Sequence, residues 1–345
     1  MGAPAGIHED RVSTWMASRV AARPPLTFEL IAGGRSNLTF LATDATGRRF
    51  ALRRPPESHV LPTAHDMVRE HTVISALYPL GIPVPRPLGL CTDETVNERP
   101  FYVMEFVDGE ILRDRDQAEA AFDEATRAVI GDRLAETLAR LHDVDVDRAG
   151  LGGLARHEGY VERQLRRWRT QYDQMHVDGV DDGGLVGAVG DQLAACVPAQ
   201  QRVSVVHGDY RLDNTVLHDD GSVRAILDWE ICTLGDPLAD VGMLLVYWAE
   251  PLDPMSALLT NAPTTAPGFA TRDQVLDAYA RHSNLDVTNI AYYRAFGYWK
   301  LACILQGVFA RYRAGATAGD QGSVAEYPTH IATLALSAKE TLEQT

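Results

Sequence analysis

The stretch Val205-Val206-His207-Gly208-Asp209-Tyr210-Arg211-Leu212-Asp213-Asn214, followed fourteen residues after the Asn by Asp228 in Ile226-Leu227-Asp228-Trp229, decides how this 345-residue chain is read. Ser204-Val205-Val206 before it and Thr215-Val216-Leu217 after it read as short strands. A turn at Asp219-Asp220-Gly221 leads into a third, Val223-Arg224-Ala225-Ile226-Leu227. Asp209 and Asp228 then stand at strand ends able to face one cleft. An Asp, an Asn five residues on and a second Asp closing a hairpin is the arrangement that phosphoryl transfer requires. The first carboxylate takes or orients the proton of an acceptor hydroxyl, while the Asn amide oxygen and the second carboxylate are hard oxygen ligands for Mg²⁺. A lone Asp-Asn pair in a turn is ordinarily a cap; the combination carries the reading.

Upstream, a helical pattern over 8–21 stops before Pro24-Pro25, and the period then changes. Phe28 to Ile31, Leu38 to Thr43 and Arg49 to Arg53 read as three antiparallel strands, the first two joined by Gly33-Gly34-Arg35-Ser36-Asn37. A helix over 64–78 follows, then strands around 88–90 and 101–105. Three strands, a helix and two strands make a small α+β unit, expected over 1–107 with a linker at 101–107. The remainder, 108–345, has helical periodicity over 117–142, 157–175, 184–197, 237–249, 272–282, 287–313 and 322–342, broken by the β-rich segment between Val203 and Trp229.

The stretch His207 to Asn214, together with Leu227-Asp228-Trp229-Glu230 and Gly235-Asp236-Pro237-Leu238-Ala239-Asp240, closely resembles the aminoglycoside phosphotransferase family, a branch of the protein-kinase fold. Within it the chain is most similar to the subgroup fused to, or encoded beside, acyl-CoA dehydrogenases. The resemblance implies a bilobal kinase-like α+β fold with a small β-rich N-lobe and a larger helical C-lobe. It also implies transfer of the γ-phosphoryl group of ATP·Mg²⁺ to the hydroxyl of a small molecule.

The implied roles follow residue by residue. Asp209 matches the catalytic base, Asn214 and Asp228 the metal ligands, and Asp240 a brace for the catalytic loop. Arg211, two residues after the base, is placed to steady the moving phosphoryl group. Residues 33 to 37 resemble the phosphate-covering loop, with Ser36 and Asn37 toward the nucleotide. Ala51-Leu52-Arg53 aligns with the strand that ordinarily presents a phosphate-binding Lys, and Glu70 is its expected partner. The residue here is Arg53, which keeps the charge and binds phosphate as a fork; the adjacent Arg54 is an alternative for the pairing. Phe101 to Gly109 resembles the interlobe linker, whose backbone near Glu105 and Val107 would meet an adenine edge.

Lys and Arg total 32 against 47 Asp and Glu, a formal net charge of -15, which argues against polyanionic partners such as nucleic acid or an anionic membrane. Cys91, Cys196, Cys232 and Cys303 lie far apart, without the spacing of a disulfide framework or a zinc site. Neither a leader peptide nor an apolar run of bilayer length is read in the sequence, so a cytoplasmic protein is expected. For the acceptor, Arg163, Arg166, Arg167 and Arg169 beside Trp168 would suit the phosphates of a CoA-bearing substrate, or form a solvated face. Tyr292, Phe296, Tyr298 and Trp299 would line an apolar pocket, or pack in the core. A hydroxyacyl-CoA or hydroxy acid is favoured over an aminoglycoside. A nucleotide-binding pseudokinase would have little need of Asp209, Asn214 and Asp228 together.

Overall fold

The computed structural model describes residues 6–32, 37–56, 66–175, 183–251, 253, 262–314 and 326–344. The chain divides into two compact units, one comprising Met1–Gly109 with Val223–Cys232, the other Glu110–Ser222 with Thr233–Thr345.

The first unit is built on an antiparallel sheet of β1 (Thr27–Ala32), β2 (Leu38–Thr43), β3 (Arg49–Arg54), β4 (Pro87–Cys91) and β5 (Phe101–Glu105), in the order β1-β2-β3-β5-β4. Side chains alternate across a strand, and the register sorts them. Phe40 lies opposite Leu52, and Leu52 opposite Val103; these three pack with Phe50, Phe101 and residues of α1 (Glu9–Arg19) in one apolar core. The intervening positions, Thr39, Arg53 and Tyr102, are likewise cross-strand neighbours and point to the other face. That face meets α2 (Met67–Leu77), whose first turn is capped by Asp66 accepting the Arg69 N–H at 3.0 Å. A four-residue α3 (Glu94–Asn97), which the sequence reading passed over, precedes β5.

Val223–Cys232 belongs to this unit because its backbone is tied there. The Ile226 N–H donates to the Pro83 carbonyl at 2.7 Å, and Arg69 donates to the Cys232 carbonyl at 2.8 Å. Trp229 is buried beneath the turn, with its Nε1–H on the Ile226 carbonyl at 3.0 Å.

The second unit is mainly helical: α4 (Arg115–Ala121), α5 (Glu124–His142), α6 (Tyr160–Gln174), α7 (Leu185–Ala195), α8 (Leu238–Tyr247), α9 (Arg272–His282), α10 (Ile290–Arg313) and α11 (Tyr327–Leu342). The single helix expected over 117–142 is two. Phe122 is extended, and the Asp123 side chain accepts the Thr126 N–H at 2.8 Å, restarting the helix. Residues 322–325 of the last expected helix lie outside the described residues. Two short strands, β6 (Ser204–Val206) and β8 (Thr233–Gly235), pair antiparallel, and β7 (Thr215–Leu217) carries the chain away from the loop that follows β6. Among the described residues no helix is long and apolar enough to cross a membrane.

Candidate active site

In the first unit, β3 and β5 deliver Arg53 and Tyr102 side by side beneath Glu70 of α2. Arg53 Nε lies 2.9 Å from Glu70 Oε2, and the Tyr102 hydroxyl donates to the same oxygen at 3.0 Å. Arg53 also binds Asp228 and stands 3.6 Å from Glu230. The Asn37 amide nitrogen donates to Glu70 at 2.6 Å and to Glu230 at 3.2 Å. Three carboxylates therefore surround one guanidinium. Burial works against the charge of Arg53, but Glu70, Tyr102, Asp228 and Glu230 overcome it and raise its pKa. Burial lifts the Glu70 carboxyl above its ordinary value, against the pull of Arg53 and the Tyr102 hydroxyl.

The choice between Arg53 and Arg54 is settled by alternation. Arg53 faces Glu70, whereas Arg54 turns to the opposite face and donates to the Gly6 and Pro55 carbonyls. Asp228 has φ +61°, a left-handed conformation that costs a non-glycine residue of order 1–3 kcal/mol and gathers at functional turns.

In the second unit, the loop after β6 is held from below. Asp240, in the first turn of α8, accepts the His207 N–H at 2.6 Å and the Gly208 N–H at 2.7 Å. His142 Nε2 stands 3.4 Å from the same carboxylate, and its other ring nitrogen meets the Tyr279 hydroxyl at 2.8 Å. Burial pushes Asp240 upward, but the hydrogen bond and charge of His142, the His207 imidazole and the Gly208 N–H bring its pKa below the ordinary value. Gly208 adopts φ +89°, a turn that positions Asp209 and that a side chain would strain.

Around Asp209 the donors converge. Asn214 Nδ2 donates to Asp209 Oδ2 at 2.8 Å and to its carbonyl at 2.9 Å, Arg211 Nε lies 3.3 Å from Oδ2, and the Tyr247 hydroxyl donates to the carboxylate. Arg211 also reaches Asp213 at 3.1 Å and lies over the Tyr247 ring at 4.8 Å. Burial, the Asp209 charge and that hydrogen bond keep the Tyr247 phenol protonated far above its ordinary value, against the pull of Arg211. A cavity of about 220 Å³ opens here, lined by Arg113, Arg211, Asp213, Tyr247, Trp248 and Thr264 among others.

Of the expected nucleotide residues, Ser36 lies outside the described residues, as do residues 33–35. Asn37 is buried with its amide on carboxylates. Glu105 ends β5 and donates its N–H to the Arg86 carbonyl at 2.9 Å, so it is not a free donor for a base edge; Val107 follows the strand, half-buried. Of the α6 arginines, Arg166 is exposed and lines an open pocket with Arg156 and Arg163. Arg163 donates to the Glu158 and Arg156 carbonyls, and Arg169 pairs with Asp173 and Asp191, while Arg167 lies over Trp168 at 5.0 Å. The aromatics of α10 are core. Tyr292 donates to the Leu193 carbonyl at 2.9 Å and Trp299 to the Val186 carbonyl at 2.8 Å, and both are buried with Phe296 and Tyr298.

Tyr102, His142, Tyr247 and Lys300 are all in contact with these groups; the sequence reading places Tyr102 only in the linker segment and does not single out the other three. Tyr102 had a signal, since it lies on the face opposite Phe101 and Val103; the others come from helices whose packing no local pattern encodes.

Residues 27–282 match the family model described as the phosphotransferase enzyme family. The chain belongs to that family, and its fold is the kinase-like fold of the aminoglycoside phosphotransferases. Mouse acyl-CoA dehydrogenase family member 10 is 33% identical over 306 residues, covering 87% of this chain and 28% of the relative. Chicken acyl-CoA dehydrogenase family member 11 is 34% identical over 299 residues, covering 84% and 37% respectively. The chain thus spans between about a quarter and two-fifths of the length of these relatives. A solved protein of Ralstonia eutropha, described as a candidate aminoglycoside phosphotransferase, superposes with a TM-score of 0.79 at 28% identity, over 96% of this chain and 98% of its own.

Proposed function

We propose that the chain transfers the γ-phosphoryl group of ATP to the hydroxyl of a small hydroxyacyl-CoA or hydroxy acid. The observation that carries this is the arrangement around Asp209, a carboxylate held in one orientation by Asn214, Arg211 and Tyr247, the last two of which line a cavity of about 220 Å³. In the step, the acceptor oxygen bonds to the γ-phosphorus, the bond to the bridging oxygen breaks and ADP leaves, and the hydroxyl proton passes to Asp209. Such a positioned base contributes ~10²- to 10⁴-fold in rate.

The donor sets suit Mg²⁺. In the first unit, Asp228 belongs to a group with three carboxylates and one guanidinium, an excess of negative charge on hard oxygens. In the second, the Asn214 amide spends its nitrogen on Asp209, which leaves Oδ1 as the acceptor to offer. We assign Asp228 in the first unit and Asn214 in the second as metal ligands; a bound Mg²⁺ would neutralise charge on the phosphates. Arg53, held by Glu70, is assigned to phosphate, and the Glu105 carbonyl with the backbone at Val107 to adenine. Arg211 steadies the transferring group and Asp209 alike.

Two observations favour a hydroxyacyl acceptor over an aminoglycoside. The relatives carry acyl-CoA dehydrogenase in their names. The cavity, with Leu212, Leu244 and Trp248 in its lining, is smaller than the ~300–1,000 Å³ that encloses a drug-sized ligand. It suits a short acyl chain rather than several sugar rings.

A mass-spectrometric screen of hydroxyacyl-CoAs, free hydroxy acids and aminoglycosides with ATP and Mg²⁺ tests the reading. A phosphorylated hydroxyacyl product that disappears with Asp209→Ala is expected. The same product formed equally well by that variant removes Asp209 from the mechanism, and phosphorylation of aminoglycosides alone overturns the acceptor class.

A further inference from the structure

Lys300 sits in the middle of α10 with 6% of its surface exposed, where burial lowers its pKa against the opposing charges of Asp209 and Asp240. Lysines are almost never buried unless paired. Its Nζ donates at 3.1 Å to the Gly208 carbonyl and lies 5.9 Å from the centre of the Trp168 ring on α6. The charged groups facing it are Asp209 on the loop, Asp240 on α8 and Arg167 on α6, the last repelling it.

The residue before the base is therefore gripped at both ends. Its N–H is held by Asp240 of α8 at 2.7 Å, and its carbonyl by Lys300 of α10 at 3.1 Å. Gly208 has the backbone freedom of a glycine and sits at positive φ, so rotation of the peptide joining it to Asp209 would swing the carboxylate away from Arg211 and Tyr247. An apolar side chain of similar volume would fill the same space without the desolvation cost of a buried ammonium. The ammonium instead supplies a donor aimed at this one carbonyl. We propose that Lys300 is a positioning residue for Asp209, fixing the Gly208–Asp209 peptide from beneath so that the base keeps one orientation through turnover.

The catalytic half of this inference rests on Asp209 being the base; the conformational half does not. Lys300→Met preserves volume and removes the donor, and Lys300→Gln keeps an N–H donor on a slightly shorter stem. Amide hydrogen exchange, read by mass spectrometry on the peptide spanning residues 205–214, is expected to quicken about tenfold in the Met variant, as loss of a hydrogen bond to a charged group implies. Exchange in α5 and α11 should stay as in the wild type. With Mg·ATP and water as acceptor, kcat should fall about ten- to a hundredfold, the range for a misplaced catalytic group, with KM for ATP unchanged and the Gln variant intermediate.

Unchanged loop exchange, exchange quickened across the whole unit, or a loosened loop with unaltered kcat each overturns the proposal. Failure of both variants to fold makes Lys300 a structural residue and overturns it too. A wild-type protein that transfers phosphate neither to water nor to any acceptor of the screen above overturns the phosphotransfer reading instead, and the exchange result then decides Lys300 by itself.

Discussion

Glu70 and Asp240 are both buried carboxylates, one in each unit, and burial pushes both upward; at Asp240 the partners outweigh burial, and at Glu70 they do not. Asp240 accepts two backbone N–H groups and faces two imidazoles, and its pKa falls. Burial raises the pKa of Glu70, and the pull of Arg53, which it shares with Asp228 and Glu230, does not offset that rise. The first arrangement is electrostatically complete and suits a permanent brace. The second carries more negative charge than its arginine offsets, which suits a group whose full stability waits on a visiting cation.

The largest effect is expected at the brace. Asp240→Asn keeps the shape but turns an NH₂ toward groups that themselves donate. Hydrogen bonds to a charged group are worth ~1.5–3 kcal/mol each, so a loss of about 3 kcal/mol in urea unfolding is expected, together with a fall in kcat as the loop loosens. Since the folded pKa lies below the ordinary 3.8, the stabilisation is present above pH 3.8 and disappears as pH falls through the folded value. The gap between wild type and variant should therefore be wide at neutral pH and close in acid. A gap that does not vary with pH would show that Asp240 acts through shape and not charge.

At Glu70 the effect is smaller and its pH trend reversed. Arg53 retains Asp228 and Glu230 when Glu70→Gln removes one carboxylate, so at pH 7 the change should stay within about 1 kcal/mol. With a folded pKa raised above 4.5, the contribution of Glu70 is fully present below pH 4.5 and is lost as pH rises through the folded value. Thermal unfolding across this range should find the wild type gaining on the variant in acid and losing ground toward neutrality. Two parallel pH trends at Glu70 and Asp240 would abolish the contrast between the units.

The brace is legible in the sequence, because Asp240 stands in one motif with Gly235, Asp236 and Pro237. So is the loop it holds, since Asp209 and Asn214 sit five residues apart in one turn. The Arg53–Glu70 pair was legible as a position, but its exclusivity was not. Choosing Arg53 over Arg54 needs the face of β3, and that is set by pairing with β2 and β5. Lys300, Tyr247 and His142 could not be found by local pattern, because each reaches its partner from a helix distant in sequence. The break between α4 and α5 had a signal in Asp123 three residues before Thr126, outweighed by continuous helical periodicity on either side.

The smallest effect is expected at Arg49, four residues before Arg53 on the same strand and so on the same face. It too is an arginine bound to an aspartate, Asp108, and it lies over the Phe106 ring at 4.8 Å. The difference is solvent, since its side chain is 43% exposed where that of Arg53 is 11% exposed. Water and salt screen the outer pair, and ordering two long side chains opposes what Coulomb attraction remains. Arg49→Ala should accordingly cost about 0.5 kcal/mol, less at high salt, and leave KM for ATP unchanged. A loss of several kcal/mol, or a raised KM, would mean that position along β3 and not burial sets the worth of an arginine there, and the reading of Arg53 as the buried centre of its cluster would have to be redrawn.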